Sequence, residues 1–529
     1  ANPEMQKRVS NVIRAMSEAE ENPIVSIHDH GAGGHLNALS ELVEETGGLI
    51  HMDQLPVGDP TLSAKEIVGN ESQERMGIVI REEDIEHIRQ IADRERAPFY
   101  VVGETTGDHR FVFEQTDGVK PIDLAMEDMF GKAPRTVMTD EETYEDVTYD
   151  QTQLDEYVER VLQLEAVACK DWLTNKVDRS VTGKIARQQC QGEIQLPLSD
   201  CGVVALDYRG RAGIATSIGH APQAALVDPA AGSILSIAEA LTNIVWAPLS
   251  EGLDSVSLSA NWMWPCKNEG EDARLYRAVE ACSDFACSLG INIPTGKDSL
   301  SMTQKYGKDK VYSPGTVIIS AGAEVSDIRK VVSPVLRTGI DSTVYYIDFS
   351  FDKLKLGGSA FAQSLDKIGK EVPTVQDSEY FANAFNAVQE LINKELILAG
   401  HDISAGGMIT TMLEMNFANT EGGLEVSLDE IPEKDLVKIL FSENPGILIQ
   451  VEKTDEVEKI LKKAGVAFIR LARPCDERHL LIHKDGADYQ FFIDHLRDVW
   501  FESSYLLDCK QSGEKAAKDR FLNYKEQPL

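Results

Sequence analysis

A layered α/β (α+β) fold in which one unit is used twice is what the sequence predicts, and three observations predict it. Four signatures recur in the same order near the two ends of the chain. Within each copy, short apolar runs alternate with helical patterns, as they do where helices cover a sheet. The 529 residues are 42% hydrophobic and 26% charged, a globular composition. At ~150 residues per domain this length allows roughly three to four domains, so a single small binding module is excluded.

The first copy reads IVSIHDHGAGGHLNALSEL from Ile24, TGGLIHMDQLP from Thr46, ESQERMGIVI from Glu71 and FYVVGETTGDHRFVF from Phe99. The second reads LILAGHDISAGGMITTMLEM from Leu396, EGGLEVSLDEIP from Glu421, SENPGILIQV from Ser442 and FIRLARPCDERHLLI from Phe468. The offset is 373 at Asp29/Asp402 and 369 at Gly103/Ala472, so one fold is expected at both places. After the first copy, Gln153 to Val177 has apolar positions near i, i+3, i+4 and i+7 and predicts a linker helix. The central segment differs from both copies. CGVVALDYRGRAGIATSIG predicts two strands joined by a Gly-rich turn, GSILSIAEALTNIVWAPL a helix, LDSVSLSANWM a strand, ARLYRAVEACSDFACSLG a helix and GTVIISAGAEV a closing strand. With the repeated unit called B and the central one A, the order is B-A-B: 1–150, a linker helix over 151–178, A over 179–330, the second B over 331–508, and a polar tail over 509–529. Nothing like A precedes the first B, so the expectation is a fragment whose N-terminal A partner is missing and whose tail is a cut linker.

The 52 Lys and Arg against 87 Asp and Glu give a net charge of −35. A field of that sign repels phosphate backbones and anionic lipid, which argues against nucleic acid or a membrane surface as partner. No run reaches the ~18 apolar residues of a membrane span, and the first ten residues lack a signal-peptide apolar core, so a cytoplasmic protein is expected. The eight Cys form no C-x-x-C pair and are expected as reduced thiols.

His28-Asp29-His30-Gly31-Ala32-Gly33-Gly34 and His401-Asp402-Ile403-Ser404-Ala405-Gly406-Gly407 each follow an apolar strand and precede a helical pattern. Such a turn exposes backbone N–H groups that favour phosphate, and its Asp can ligate Mg²⁺ or simply cap the helix. No Walker A pattern is present. Glu239 and Asn243, four apart on one predicted helix, leave the same face, and Asp200 begins a strand whose end can reach them. Three hard oxygen donors make a Mg²⁺ site there, or a solvated polar face. Gly296-Lys297-Asp298-Ser299 reads as a turn after LGINIP, phosphate-contacting or merely superficial. Glu71, Ser72 and Gln73 lie in a polar cluster before the strand GIVI, suited to a polar ligand or to an exposed loop.

Taken together, HDHGAGG, NESQERM, LSDCGVVALD, ALVDPAAGSILSIAEALTNI, LSANWMWP, GEDARLY, PTGKDSLSM and HDISAGG resemble the phosphoribosylformylglycinamidine synthase family in its large single-chain form, along essentially the whole chain. The resemblance implies aminoimidazole-ribotide-synthetase-like A and B domains. It also implies an ATP-dependent ligase of purine biosynthesis, converting formylglycinamide ribonucleotide, ATP and glutamine to formylglycinamidine ribonucleotide, ADP, phosphate and glutamate. Against the family pattern the first A domain and the C-terminal glutaminase are missing, so the chain alone is expected to be inactive. The resemblance makes Asp29 a Mg²⁺ ligand of the catalytic site and Glu71, Ser72 and Gln73 its substrate loop. It makes Asp200, Glu239, Asn243 and Asp402 the ligands of a structural Mg²⁺–ADP, with Ser199 and Ser404 near the nucleotide, and it turns Gly296, Lys297 and Ser299 towards the catalytic cleft. Ala405 and Met76 depart from the family's usual residues. The expected partners are the small-molecule substrates, ammonia from glutamine and the missing domains, and an exposed face of A is expected to allow dimerisation. Single-unit relatives (aminoimidazole-ribotide synthetase, selenophosphate synthetase, thiamine-phosphate kinase) are disfavoured by the duplicated B; a non-catalytic nucleotide-binding scaffold is the reading from another class.

Overall fold

The computed structural model describes residues 2–71, 73–131, 144–174, 177, 179–180 and 183–526, and the chain forms two compact units, Ala1–Val137 and Met138–Leu529. The first opens with the helix Pro3–Ser17, started by Pro3 and by the Asn2 side chain accepting from the Met5 N–H. Its Val12 and Met16 pack on Ile88, Ile91 and Ala92 of the helix Ile85–Glu95. The strand Ile24–Asp29 pairs antiparallel with Met76–Ile80, placing Asp29 opposite Met76. A four-stranded sheet follows in the order Gly103–Thr105, Gly48–His51, Arg110–Glu114, Ile122–Ala125.

In the second unit a six-stranded sheet runs Asn292–Ser299, Ser257–Met263, Thr316–Val325, Gly213–His220, Gly202–Ala205, Ile185–Arg187. Gly213–His220 alternates buried and exposed residues strictly, as a strand with one covered face must. The helices Pro229–Ile244 and Glu271–Ser288 contribute Ile237, Leu241, Cys282 and Phe285 to the core under this sheet. A seven-stranded sheet runs Ala399–Ile403, Gly446–Val451, Thr343–Asp348, Phe468–Cys475, Gly423–Ser427, His479–Lys484, Ala487–Phe492. Gly446–Val451 is buried at every position, which explains its apolar run Ile447–Ile449; the one polar residue, Gln450, accepts the Arg337 N–H and donates to the Arg337 carbonyl and Ser342 Oγ, each at 2.8 Å.

The duplication is visible in strand pairing. In the first copy Gly48–His51 pairs antiparallel with Gly103–Thr105 and parallel with Arg110–Glu114. In the second, Gly423–Ser427 pairs antiparallel with Phe468–Cys475 and parallel with His479–Lys484. The Ile24–Asp29/Met76–Ile80 pair is repeated by Ala399–Ile403 with Gly446–Val451. One difference stands out: in the second copy Thr343–Asp348 lies between Gly446–Val451 and Phe468–Cys475 and joins everything into one sheet. Among the described residues the first copy has no such strand, and its ladders form two sheets.

Three segments differ from their sequence-based expectation. Gly296–Ser299 is not a turn but the end of the strand Asn292–Ser299, parallel to Ser257–Met263, with Gly296 opposite Ala260. Among the described residues, the α-helical parts of the linker region are Leu154–Gln163, preceded by a 3-10 turn at Gln151–Gln153, and Asp171–Thr174. Between them the chain bonds outward instead: the Cys169 N–H donates to the Trp500 carbonyl, and the Trp500 indole N–H to the Val167 carbonyl, both at 3.0 Å. The polar C-terminal segment is docked helix, Ile493–Ser512 and Glu514–Asn523, fixed by a two-pronged Arg520–Asp171 contact at 2.8 and 3.1 Å.

Candidate functional site

In the second unit three elements contribute to the site. Asp200 stands before the strand Gly202–Ala205, His401 and Asp402 lie near the end of Ala399–Ile403, and Glu239 projects from Pro229–Ile244. The helix starts after Asp228, whose carboxylate accepts from the Ala230 and Ala231 N–H groups, with Pro229 in its first turn. Asp200, His401 and Asp402 bring potential ligand atoms within 4.8 Å of one another. His401 Nδ1 is 2.7 Å from Asp200 Oδ1, a close ion-pair contact without the alignment of a hydrogen bond. Its Nε2 meets Glu414 Oε2 at 3.1 Å.

Burial dominates the electrostatics. It raises the Asp200 carboxyl despite the imidazole beside it. Burial, and then the charge of Asp200, raise Asp402 well above the carboxylate range. Glu239, also buried, is pushed up to about 7, and its Oε2 accepts the His220 N–H at 2.7 Å. Burial would lower His401, but Asp200 and Glu414 together hold it above its ordinary value. Asp200 Oδ2 and Asp402 Oδ2 are buried with no hydrogen-bond partner among the described residues. Buried oxygens left orphaned in this way are costly unless something accepts their lone pairs. Several carboxylates around one imidazole are a donor set that suits a hard divalent cation such as Mg²⁺.

The turn after Asp402 is the second element of the site. Gly406 and Gly407 are left-handed (φ 95° and 73°) and start the helix Gly407–Phe417. Glu443 Oε1 accepts both the Gly406 N–H and the Ala360 N–H at 2.8 Å, and burial pushes its carboxyl up to about 7.

Of the sequence-predicted residues, the structure brings Asp200 and Asp402 together, with Glu239 close enough to act on Asp402 electrostatically. Asn243 lies one helical turn beyond Glu239, its amide nitrogen donating to the Ile218 carbonyl at 3.0 Å. Ser199 donates to the Cys201 carbonyl at 3.1 Å, and Ser404 opens the Gly-rich turn, its carbonyl accepting the Gly407 N–H. Gly296, Lys297 and Ser299 are not part of this cluster. Their strand forms one edge of the six-stranded sheet, whereas Gly202–Ala205 lies next to the other edge, and Lys297 Nζ bonds the Asp298 carbonyl. His401, Glu414 and Glu443 were missed. Glu414 carried a signal: it is the only charged residue in the apolar helix GMITTMLEMNF.

In the first unit Asp29 ends the strand Ile24–Asp29 and is exposed. Its turn also has two left-handed glycines, Gly33 and Gly34 (φ 85° and 61°), and Glu71 Oε1 accepts the Gly33 N–H at 3.2 Å. A buried chain unanticipated from sequence runs behind it: His30 Nε2 meets His35 Nδ1 at 3.1 Å, and Arg75 Nη1 donates to His35 Nε2 at 2.6 Å. Gln73 is exposed; Ser72 lies outside the described residues.

Comparison with known proteins gives the same B-A-B order. A model of the AIR synthase related protein C-terminal domain matches residues 1–115 and again 343–479, and one of the FGAR-AT PurM_N-like domain matches 169–324 between them. The phosphoribosylformylglycinamidine synthase of Homo sapiens is 36% identical over 99% of this chain, and that of Dictyostelium discoideum 35% over 98%. The chain spans about 41% of the length of either relative. The solved structures of Thermotoga maritima PurL complexed with ADP (18% identity, TM-score 0.56) and with FGAR (16%, 0.55) share the fold over 90% of this chain, which covers 68% and 65% of theirs.

Proposed function

We propose that the chain belongs to the phosphoribosylformylglycinamidine synthase family, as its resemblance to relatives of that name and the matched domain models support, and that it forms the B-A-B segment of such a ligase, with a Mg²⁺–nucleoside diphosphate held between its A domain (179–330) and second B domain (331–508). The observation that carries this reading is the meeting of Asp200 and Asp402 beside His401, each with a buried unsatisfied oxygen. Asp200, Asp402, Glu239 and Asn243 would hold the cation, which when bound neutralises phosphate charge. The Gly406–Gly407 turn and helix start offer backbone N–H groups of the kind that bind phosphate, with Ser404 and Ser199 alongside.

In the family reaction an amide oxygen, a poor leaving group, is phosphorylated by ATP and then displaced by ammonia. What protein residues contribute to such chemistry is positioning and charge stabilisation. On this reading Asp29 serves a metal at the catalytic centre, Glu71, Ser72 and Gln73 the formylglycinamide ribonucleotide, and Gly296, Lys297 and Ser299 the rim of that centre. Turnover belongs to the longer assembly, with a further A domain and a glutaminase supplying ammonia, and this chain alone is expected to show none. A cytoplasmic location fits such a metabolic enzyme; among the described residues no helix is long and apolar enough to cross a membrane.

The uncovered face of the six-stranded sheet exposes Leu206 (47%), Ile214 (47%) and Ile218 (57%), and we read it as the docking face for a sister A domain or, in its absence, a second copy of the chain. Sedimentation at increasing concentration tests this; a strict monomer would count against the second copy. The site reading is tested by calorimetric titration of the chain with ADP and Mg²⁺. Tight, Mg²⁺-dependent uptake abolished by Asp200→Asn with Asp402→Asn is expected, and absence of uptake by wild type would sink it.

A further inference from the structure

Both copies place one carboxylate on the same backbone atom of the Gly-rich turn. Glu71 Oε1 accepts the Gly33 N–H at 3.2 Å, and Glu443 Oε1 accepts the Gly406 N–H at 2.8 Å. Gly33 and Gly406 stand at the N-caps of the helices Gly34–Leu42 and Gly407–Phe417, and neither has a side chain to cap with. The following glycine in each copy rests on the backbone just ahead of the glutamate. A Cβ on Gly34 would lie 2.4 Å from the Asn70 carbonyl oxygen, and one on Gly407 2.6 Å from the Leu440 carbonyl oxygen and 2.8 Å from Phe441 Cα. The two loops differ in length by one residue: counted from the strand residue opposite the Asp of each turn, Glu71 is five residues before Met76 and Glu443 four before Ile447. The same contact is therefore reached by different routes, as happens when the contact and not the loop is what the fold requires.

We infer that Glu71 and Glu443 are equivalent positioning residues: each pins the Gly-rich turn of its own copy against the neighbouring strand loop, fixing the direction in which the turn's backbone N–H groups point. This rests on the reading above, in which those groups in the second copy face nucleotide phosphate. Glu443 does more than Glu71, because the same Oε1 also takes the Ala360 N–H and so ties a second helix start to the turn. What Glu443 supplies is an acceptor atom in the right place. Its negative charge is a liability beside Glu239, whose charge opposes its ionisation. Glutamine keeps an oxygen at Oε1 and therefore keeps both bonds; alanine keeps neither.

The test compares Glu443→Gln and Glu443→Ala in the full chain, by hydrogen exchange at the amides of Gly406 and Ala360 and by titration with Mg²⁺ and ADP. The glutamine variant is expected to keep wild-type protection and affinity within about twofold. The alanine variant is expected to lose protection at both amides and to weaken binding about tenfold or more. Equal damage from both variants would mean that the charge matters, and unchanged protection in the alanine variant would mean that the bonds do not hold the turn; either overturns the inference. If wild type takes up no nucleotide, the site reading falls while the exchange comparison still decides the pinning. Should Glu443→Ala fail to fold, exchange at Gly33 in Glu71→Ala against Glu71→Gln decides it in the other copy.

Discussion

At the scale of the residue, the features that matter are those where one atom more or fewer changes the outcome. Gly407 is left-handed and its Cα faces backbone, so Gly407→Ala is expected to cost at least about 2 kcal/mol, read as a lowered thermal midpoint of the second unit. His35 makes a pH prediction. Burial, then Arg75, then His30 bring its pKa down to about 4 from an ordinary 6.5. The folded state thus binds the proton less readily than the unfolded chain. The stability due to the neutral ring is complete above about pH 6.5 and falls away as pH drops from there towards 4. Urea titrations across this window should show a steeper decline for wild type than for His35→Asn. Much of the site was legible here, because Asp29 and Asp402 stand before glycines in a strand–turn–helix pattern that sequence exposes. His401 and Glu414 were not, since their meeting depends on a strand lying over a helix thirteen residues on. Glu443 was hidden in the same way, in a loop far from the turn it serves.

At the scale of the element, the strand Ala399–Ile403 delivers Asp402 and has no slack. A Cβ on its Gly400 would lie 2.2 Å from the ring of Trp246, which is buried at the end of the A-domain helix region. Gly400→Ala should therefore displace the indole or the strand, destabilising by about 1–3 kcal/mol and weakening Mg²⁺–ADP uptake although no ligand is altered; unfolding and titration read the two effects. The strand Gly446–Val451 was readable from its apolar run Ile447–Ile449, and Gly213–His220 from its place after a Gly-rich turn, since its buried face carries Gly213, Ala215, Ser217 and Gly219 while Ile214 and Ile218 are exposed. Asn292–Ser299 was misread at its end, because Gly296-Lys297-Asp298-Ser299 has turn composition while its geometry is set by the neighbour, Ser257–Met263. The linker was over-read as one helix for a related reason: amphipathic periodicity persists past Gln163, but bonds to Trp500 take the chain out of helical conformation.

At the scale of the whole molecule, the repeat and the order B-A-B were the most legible features, since matching signatures report a shared fold without any knowledge of contacts. What composition alone could not reveal is that three acidic side chains, Asp200, Asp402 and Glu414, meet His401, with Glu239 acting on Asp402, in a chain already carrying −35. Removing divalent cations should leave this centre self-repelling. Mg²⁺ with saturating ADP is expected to raise the thermal midpoint by about 3–6 °C, with chelator reversing the gain, as differential scanning fluorimetry would show. Alanine at Asp402 should abolish that response, whereas alanine at Lys297, on the far edge of the sheet, should leave it intact.

The strand Thr343–Asp348 has a consequence in time as well as space. It sits in the middle of its sheet, yet both of its neighbours are made from chain that emerges about a hundred residues later. Its amides must therefore wait, unpaired, while the intervening segment is synthesised and its ends find one another, and long-range closures of that kind are slow. During that interval an apolar ribbon with both edges unpaired is open to pairing with another chain, a hazard that closes once its two neighbours have arrived.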